Sequence, residues 1–282
     1  MRLIKTTEEI KSEVLNRRSQ GADIGLVPTM GALHRGHLEL VKRAINENKT
    51  VVVSIFVNPT QFNDKADLDK YPRTIDKDLE LLKQLSDDIV VFMPDVDEMY
   101  EEGLISGTYD FGGLESSMEG SFREGHFEGV ATVVEKLLRK VTPDRAYFGE
   151  KDYQQLQIIK RLVTQKGLEV EIIACAIVRE ESGLALSSRN TRLSKRLRNE
   201  ASFIYNTLKT AKNRFGTESA KSIADWVIQQ FAENPDFELE YFVIADDENL
   251  IPVNKKEKGK KYRAFIAVYA EGVRLIDNIG LN

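Results

Sequence analysis

The chain has 282 residues but a single cysteine, Cys175, and only three histidines. One cysteine excludes an internal disulfide. Its setting in the apolar run Ile172-Ile173-Ala174-Cys175-Ala176-Ile177-Val178 points to a buried strand position. No apolar run reaches membrane-spanning length, and the opening Met1-Arg2-Leu3-Ile4-Lys5-Thr6 has no signal-peptide core. The expectation is therefore a cytoplasmic protein without membrane contact. Excess positive charge is also missing: the net charge is -5 and the isoelectric point is near 5.5. With no basic stripe interleaved with aromatics, there is no electrostatic case for nucleic acid or an anionic membrane as partner. Internal repeats and low-complexity tracts are absent as well. What remains, 41% hydrophobic and 30% charged residues, is the composition of an ordinary globular protein, long enough for two domains.

Two of the three histidines fall within one short segment, Pro28-Thr29-Met30-Gly31-Ala32-Leu33-His34-Arg35-Gly36-His37. An apolar strand, Ile24 to Met30, turns at Gly31, and helical spacing resumes through Leu33, Leu38, Leu40 and Val41. Histidines three apart share one face of a helix's first turn. First-turn N–H groups lack intrahelical partners and carry the positive end of the helix dipole. Gly31 permits the bend, and Gly36 leaves bare backbone for a ring or phosphate. Strand, glycine turn, helix N-terminus and two imidazoles together suggest a triphosphate site. A metal site is the alternative, but no Cys, Asp or Glu accompanies the pair at ligand spacing.

Along the chain, Thr6 and Glu9 form a capping box for a helix with inward residues Ile10, Val14 and Leu15, ended by Gly21. A second strand, Thr50 to Val57, is a nearly unbroken apolar run, as expected where both sheet faces are covered. It stops at Asn58-Pro59-Thr60-Gln61-Phe62, because Pro59 cannot continue a ladder. A charged segment from Asn63 to Lys70 and Tyr71-Pro72-Arg73-Thr74 lead to a helix with Leu79, Leu82 and Leu85. A strand from Ile89 to Met93 follows, then irregular structure with short elements over 95–125. Next come a helix with Val130, Val133, Val134, Leu137 and Leu138, a strand Arg145 to Phe148, a helix Tyr153 to Lys166 and a strand Val170 to Val178. This alternation predicts an α/β fold, a Rossmann-like doubly wound parallel sheet.

The pattern changes near residue 178. Arg179 to Arg192 reads as a polar loop. A long helix then carries Leu193, Leu197, Ala201, Ile204, Tyr205 and Leu208 on one face, and another carries Ile223, Trp226, Val227 and Phe231. Two β stretches close the chain, Leu239 to Ile244 and Tyr262 to Tyr269, the latter continuing near Val273 to Ile276. Lys255 to Lys261 is a solvated hairpin tip. The expected division is 1–178, a Rossmann-like domain binding nucleotide and substrate, and 179–282, a smaller C-terminal α+β domain acting as a lid.

Three further segments carry chemistry. Gly149-Glu150-Lys151-Asp152 ends a strand and opens a helix; Lys151 is placed for phosphate, and Asp152 for a ribose hydroxyl or a metal. Ser187-Ser188-Arg189, in the interdomain loop, offers hydroxyls, backbone N–H groups and a guanidinium for phosphate oxygens, where a closing lid belongs. Gln61 and Gln155, near two strand ends, suit the hydroxyls and carboxylate of a small polar substrate.

Taken together, P-T-M-G-A-L-H-x-G-H from Pro28, F-V-N-P-T-Q-F from Phe56, Tyr71-Pro72-Arg73-Thr74, His126-Phe127-x-Gly129-Val130, F-G-E-K-D-Y-Q-Q-L from Phe148 and Arg179 to Asn190 resemble the pantothenate synthetase (pantoate–β-alanine ligase) family. The match runs in order over essentially the whole chain and is densest from 24 to 192. H-x-G-H alone indicates only the wider nucleotidylyltransferase superfamily; the glutamine-bearing segments narrow it. Leu186 stands where this family commonly has Met, an exchange of one apolar side chain for another. The resemblance implies an ATP-dependent ligase that joins pantoate to β-alanine through a pantoyl-adenylate, with Mg²⁺, as a cytoplasmic homodimer. By the same resemblance ATP is held by Met30, Gly31, Ala32, Leu33, His34, Arg35, Gly36 and His37, by Gly149, Glu150, Lys151 and Asp152, and by Val178, Leu186, Ser187, Ser188 and Arg189. Gln61 and Gln155 would hold pantoate, Gln61 also lying near β-alanine. His37 would be the catalytic acid, assisted by His34 and Lys151. The metal ligands stay open, with Asp78 and Asp152 as candidates, and ATP able to carry Mg²⁺ almost unaided.

Local residues also admit an H-x-G-H enzyme transferring adenylyl to a phosphate-bearing acceptor, and a nucleotide sensor without turnover. The first needs extra cations where this chain has two glutamines; the second leaves both histidines and Lys151 without a chemical task.

Overall fold

A computed structural model describes residues 1–62, 68–69 and 71–282, so the charged segment between Asn63 and Lys70 lies largely outside the described residues. The chain divides into two compact units, one of 1–150 and 155–176, the other of 151–154 and 177–282. Lys151–Gln154, although lodged in the first stretch of chain, groups with the second unit.

The first unit is built on six parallel strands: β1 (Arg2–Ile4), β2 (Ile24–Thr29), β3 (Thr50–Ile55), β4 (Val90–Phe92), β5 (Arg145–Gly149) and β6 (Glu171–Cys175), in the order β1-β4-β3-β2-β5-β6. This is the α/β parallel sheet expected; only β1 had no sequence signal, being three residues at the edge. Its helices are α1 (Thr7–Ser19), α2 (Arg35–Glu47), α3 (Ile75–Leu85), the short α4 (Val96–Met99) and α5 (Glu119–Phe122), α6 (His126–Val141) and α7 (Tyr153–Lys166). The short α4 and α5 fall in the 95–125 region expected to be irregular.

The unbroken apolar run of β3 is explained by burial on both faces. Val51, Val53 and Ile55 join a cluster with Val41 and Ala44 of α2 and Leu82 of α3, while the alternate Val52 and Ser54 are also fully buried. Each such valine contributes about 1.5–3 kcal/mol of transfer free energy. The capping box on α1 is present, with the Thr6 side chain accepting from Glu9 and Glu9 returning to the Thr6 backbone. Leu15, however, is 68% exposed; the buried face is Ile10, Glu13 and Val14. Glu13 takes that place because its carboxylate pairs with Arg17 at 2.8 Å and with Arg2.

Chain order in the sheet reverses at β2, which has β3 on one side and β5 on the other. The carboxyl ends of β2 and β5 therefore leave the sheet side by side, flanking the crevice where open α/β sheets take ligands.

In the second unit, α8 (Lys195–Glu200), α9 (Ser202–Arg214) and α10 (Ala220–Ala232) accompany an antiparallel sheet, β7 (Glu238–Asp246), β8 (Tyr262–Ala270) and β9 (Val273–Gly280), in the order β7-β8-β9. The single long helix expected from Leu193 is two helices meeting at fully buried Ala201, where the Ile204 N–H bonds back three residues to the Ala201 carbonyl. That tightening keeps Leu197, Ile204 and Leu208 all in one core with Val227, Phe231 and Ile266. The stretch read as a continuation of the last strand is a separate strand. Glu271 and Gly272, at φ 48° and 70°, form a two-residue turn that folds β9 back along β8. None of the described helices is long and apolar enough to cross a membrane.

Candidate active site

The H-x-G-H corner begins where β2 ends. Thr29 ties strand to turn, its hydroxyl donating to the Ser54 carbonyl at 2.8 Å and accepting from Gly31 N–H at 3.1 Å. Gly31 and Ala32 both take left-handed backbone, at φ 77° and 49°. That is costly for alanine, and Asp78 holds it. The Asp78 side chain comes from the first turn of α3 and is 1% exposed. Its Oδ2 accepts the Ala32 N–H and its Oδ1 the Leu33 N–H, both at 2.8 Å, while Thr74 Oγ1 donates to Oδ1 at 3.1 Å. A side chain at Gly31 would press on the same carboxylate, its Cβ 3.1 Å from Oδ2.

His34 is the N-cap of α2 and His37 its third residue. His34 Nδ1 accepts the Gly36 N–H at 3.1 Å, and His37 Nδ1 accepts the His34 N–H at 3.4 Å. An Nδ1 that accepts cannot carry the proton, so the neutral ring holds it on Nε2. The two rings stack, with centroids 4.0 Å apart and planes 28° apart. The N–H groups of Ala32, Leu33 and Gly36 serve internal acceptors.

Gln61 sits in a 3₁₀ turn, Pro59–Gln61, just past β3. Fully buried Asn58 braces it, donating to Gln61 Oε1 at 3.3 Å and to the Gly129 carbonyl at 3.1 Å, and accepting from Tyr100 Oη at 2.5 Å. Burial pushes the Tyr100 phenol above its ordinary range, so it stays a donor. Gln61 Nε2 lies 2.7 Å from Met30 Sδ, which joins this turn to the H-x-G-H corner. The third histidine, His126, is buried at the start of α6, with Nδ1 3.0 Å from the Gln61 carbonyl and Nε2 3.1 Å from Arg123. α6 approaches the turn so closely that a Cβ on Gly129 would lie 2.3 Å from the Thr60 carbonyl oxygen. Gln155, half-buried, occupies the first turn of α7.

The first unit thus contains Met30 to His37, Gln61, Gly149, Glu150 and Gln155, and the second contains Lys151, Asp152, Val178 and Leu186 to Arg189. In the second unit, Lys151 Nζ lies 3.4 Å from Asp152 Oδ1. Ser187 caps the 3₁₀ turn Ser188–Arg192, its hydroxyl accepting from Arg189 N–H at 3.3 Å. Val178 accepts the Leu186 N–H at 2.9 Å, closing the loop on itself. Among the described residues no group of three His, Cys, Asp or Glu could hold a metal. Asp78, a candidate ligand by sequence, spends both oxygens on the Ala32 and Leu33 N–H groups.

Sequence reasoning passed over Asn58, His126 and the loop-holding role of Asp78. Asn58 and His126 lie inside the F-V-N-P-T-Q-F and H-F-x-G-V segments, where nothing local gives them a chemistry of their own; Asp78 reaches a turn 45 residues away, which no local spacing encodes.

The family model described as pantoate–β-alanine ligase matches residues 2–280. A pantothenate synthetase of Christiangramia forsetii is 57% identical over 280 residues, covering 99% of this chain and 96% of the relative. One from Bacteroides thetaiotaomicron is 47% identical over 99% of this chain and 98% of the relative. The crystal structure of pantothenate synthetase from Thermus thermophilus superposes with a TM-score of 0.91 at 41% identity, covering 100% of this chain and 99% of that one. A pantoate–β-alanine ligase from Francisella tularensis, complexed with beta-gamma ATP and β-alanine, gives a TM-score of 0.80 at 36% identity over 100% of this chain and 98% of that one. With the family model, full-length identity and superposition all in agreement, the chain belongs to the pantoate–β-alanine ligase family.

Proposed function

We propose that the chain condenses pantoate with β-alanine at the expense of ATP, through a pantoyl-adenylate, to give pantothenate, AMP and pyrophosphate. Family membership supports the overall reaction, and the ATP and β-alanine complex of the Francisella relative supports ATP as co-substrate. The observation that carries the reading is the His34–His37 pair, two stacked imidazoles at a helix N-terminus with Nδ1 of each on a backbone N–H.

In the first half-reaction a pantoate carboxylate oxygen bonds to the α-phosphorus and the P–O bond to pyrophosphate breaks. Charge grows on the departing phosphates, so positioned donors lower the barrier. His37 is the acid in this reading, with His34 and Lys151 as flanking donors. ATP lies along Met30 to His37, Gly149 to Asp152, Val178 and Leu186 to Arg189; Gln61 and Gln155 hold pantoate. In the second half-reaction the β-alanine amine attacks the activated carbonyl, the C–O bond to AMP breaks, and the amine proton departs. No enzyme nucleophile is needed, in keeping with the buried Cys175.

In this reading Mg²⁺ accompanies the phosphates of ATP, and no step is assigned to it. The same reading carries a nucleotide- and pantoate-binding first unit, a second unit acting as lid, a homodimer and a cytoplasmic location, all implied by the family resemblance.

Pantoate labelled with ¹⁸O in its carboxylate tests the route. An adenylate leaves one label in the phosphate of AMP, read by mass spectrometry; unlabelled AMP rejects it.

A further inference from the structure

Resting on the reading that Lys151 and the Leu186–Arg189 loop meet the nucleotide phosphates, we propose that Asp277 and Asn278, adjacent on β9, are the positioning residues for both. Neither was visible as functional in the sequence.

Consecutive strand residues point to opposite faces of a sheet, so this pair reaches two different segments. Asn278 is 2% exposed. Its Nδ2 donates to the Lys151 carbonyl at 2.9 Å, and its Oδ1 accepts from Arg263 Nη1 at 2.6 Å. Arg263 is fixed in turn, with Nε 2.9 Å from Asp247 Oδ1 and its guanidinium 3.8 Å over the Tyr153 ring. The amide therefore has one usable orientation. Flipping it would set NH₂ against a guanidinium and an oxygen against the Lys151 carbonyl.

Asp277, 5% exposed, takes a two-pronged bond from Arg179, at 2.5 Å from Nη1 and 2.8 Å from Nη2. Arg179 stands at the root of the phosphate loop. Its Nη1 also donates to the Gly183 carbonyl at 3.1 Å, its guanidinium lies 3.7 Å over the Tyr205 ring, and its backbone bridges to Ala185, next to Leu186. The two anchors are joined, because Asn278 N–H donates to Asp277 Oδ1 at 2.7 Å. Lys151 and the serine loop are thus registered to each other through one strand. Lys151–Gln154 groups with the second unit although its neighbours in sequence do not.

The test is a double-mutant cycle on the full chain, reading ATP-dependent pyrophosphate release with pantoate. Asn278→Asp retains size and the acceptor for Arg263 but turns a second oxygen toward the Lys151 carbonyl. It should raise the KM for ATP or slow adenylation by about tenfold, with the KM for pantoate unchanged. In a Lys151→Ala background the same change should add nothing. Asn278→Ser, too short to reach the carbonyl, carries the same cycle should the aspartate variant fold poorly. Asp277→Asn paired with Arg189→Ala should show the same non-additivity. Effects that multiply independently, or that appear equally in the KM for pantoate, overturn the proposal while leaving the reading of Lys151 intact. A Lys151→Ala enzyme with unaltered adenylation overturns that reading itself, and this proposal with it.

Discussion

His34 and His37 stack at 4.0 Å, and each gives its Nδ1 to a backbone N–H of the same helix start. The two rings thus brace the helix start, and in the proposed reaction they also donate; the two tasks separate by substitution. Asparagine caps a helix well, whereas alanine in place of a capping side chain costs about 1 kcal/mol. His34→Asn should unfold in urea like the unaltered chain, His34→Ala earlier, and both should lose adenylation rate. His37→Ala should lower kcat for adenylate formation by about 10²-fold or more, with pantoate affinity retained. An unchanged kcat removes His37 from the chemistry.

The Asp78 carboxylate holds two N–H groups of a left-handed turn, a task that needs two acceptor oxygens. Asp78→Asn supplies only one and turns an NH₂ toward the other donor. Loss of about 1–3 kcal/mol of unfolding free energy is expected, together with slower adenylation. The Mg²⁺ concentration for half-maximal rate should not move. A shift there without loss of stability would mean that Asp78 works as a metal ligand instead.

Contact between α6 and the Gln61 turn is backbone to backbone at Gly129. Gly129→Ala should drive the turn away and raise the KM for pantoate more than that for ATP. Equal changes in both would show that the turn does not serve pantoate.

Most of the sheet and the H-x-G-H corner was legible because each depends on local pattern: apolar runs, a glycine turn, a pair of histidines three apart. What escaped was long-range. Asp78 reaches Ala32, His126 reaches Gln61, and Asn278 reaches Lys151, 127 residues away. A buried polar residue leaves no periodic signal, and its partner is set by the folded register alone. Leu15 misled for a related reason, since Glu13 displaced it from the inward face by pairing with Arg17.

Burial pushes the Cys175 thiol above its ordinary value of 9.0, with nearby Arg43 offsetting part of the effect. The native thiol should therefore react slowly with iodoacetamide at pH 8 and quickly in urea. Because the unfolded thiol ionises first, stability should fall as pH rises past about 9, a decline that Cys175→Ala lessens. Turnover should be unaffected by that substitution, and a loss of turnover would give the thiol a role that the condensation does not require.

The most direct measurement is pyrophosphate release from ATP and Mg²⁺, first with pantoate alone and then with β-alanine added. A pantoate-dependent burst that becomes steady release of pyrophosphate and AMP with β-alanine is the expected result, establishing both half-reactions and their order. Folded, ATP-binding protein that releases no pyrophosphate in response to pantoate would contradict adenylate formation at this site.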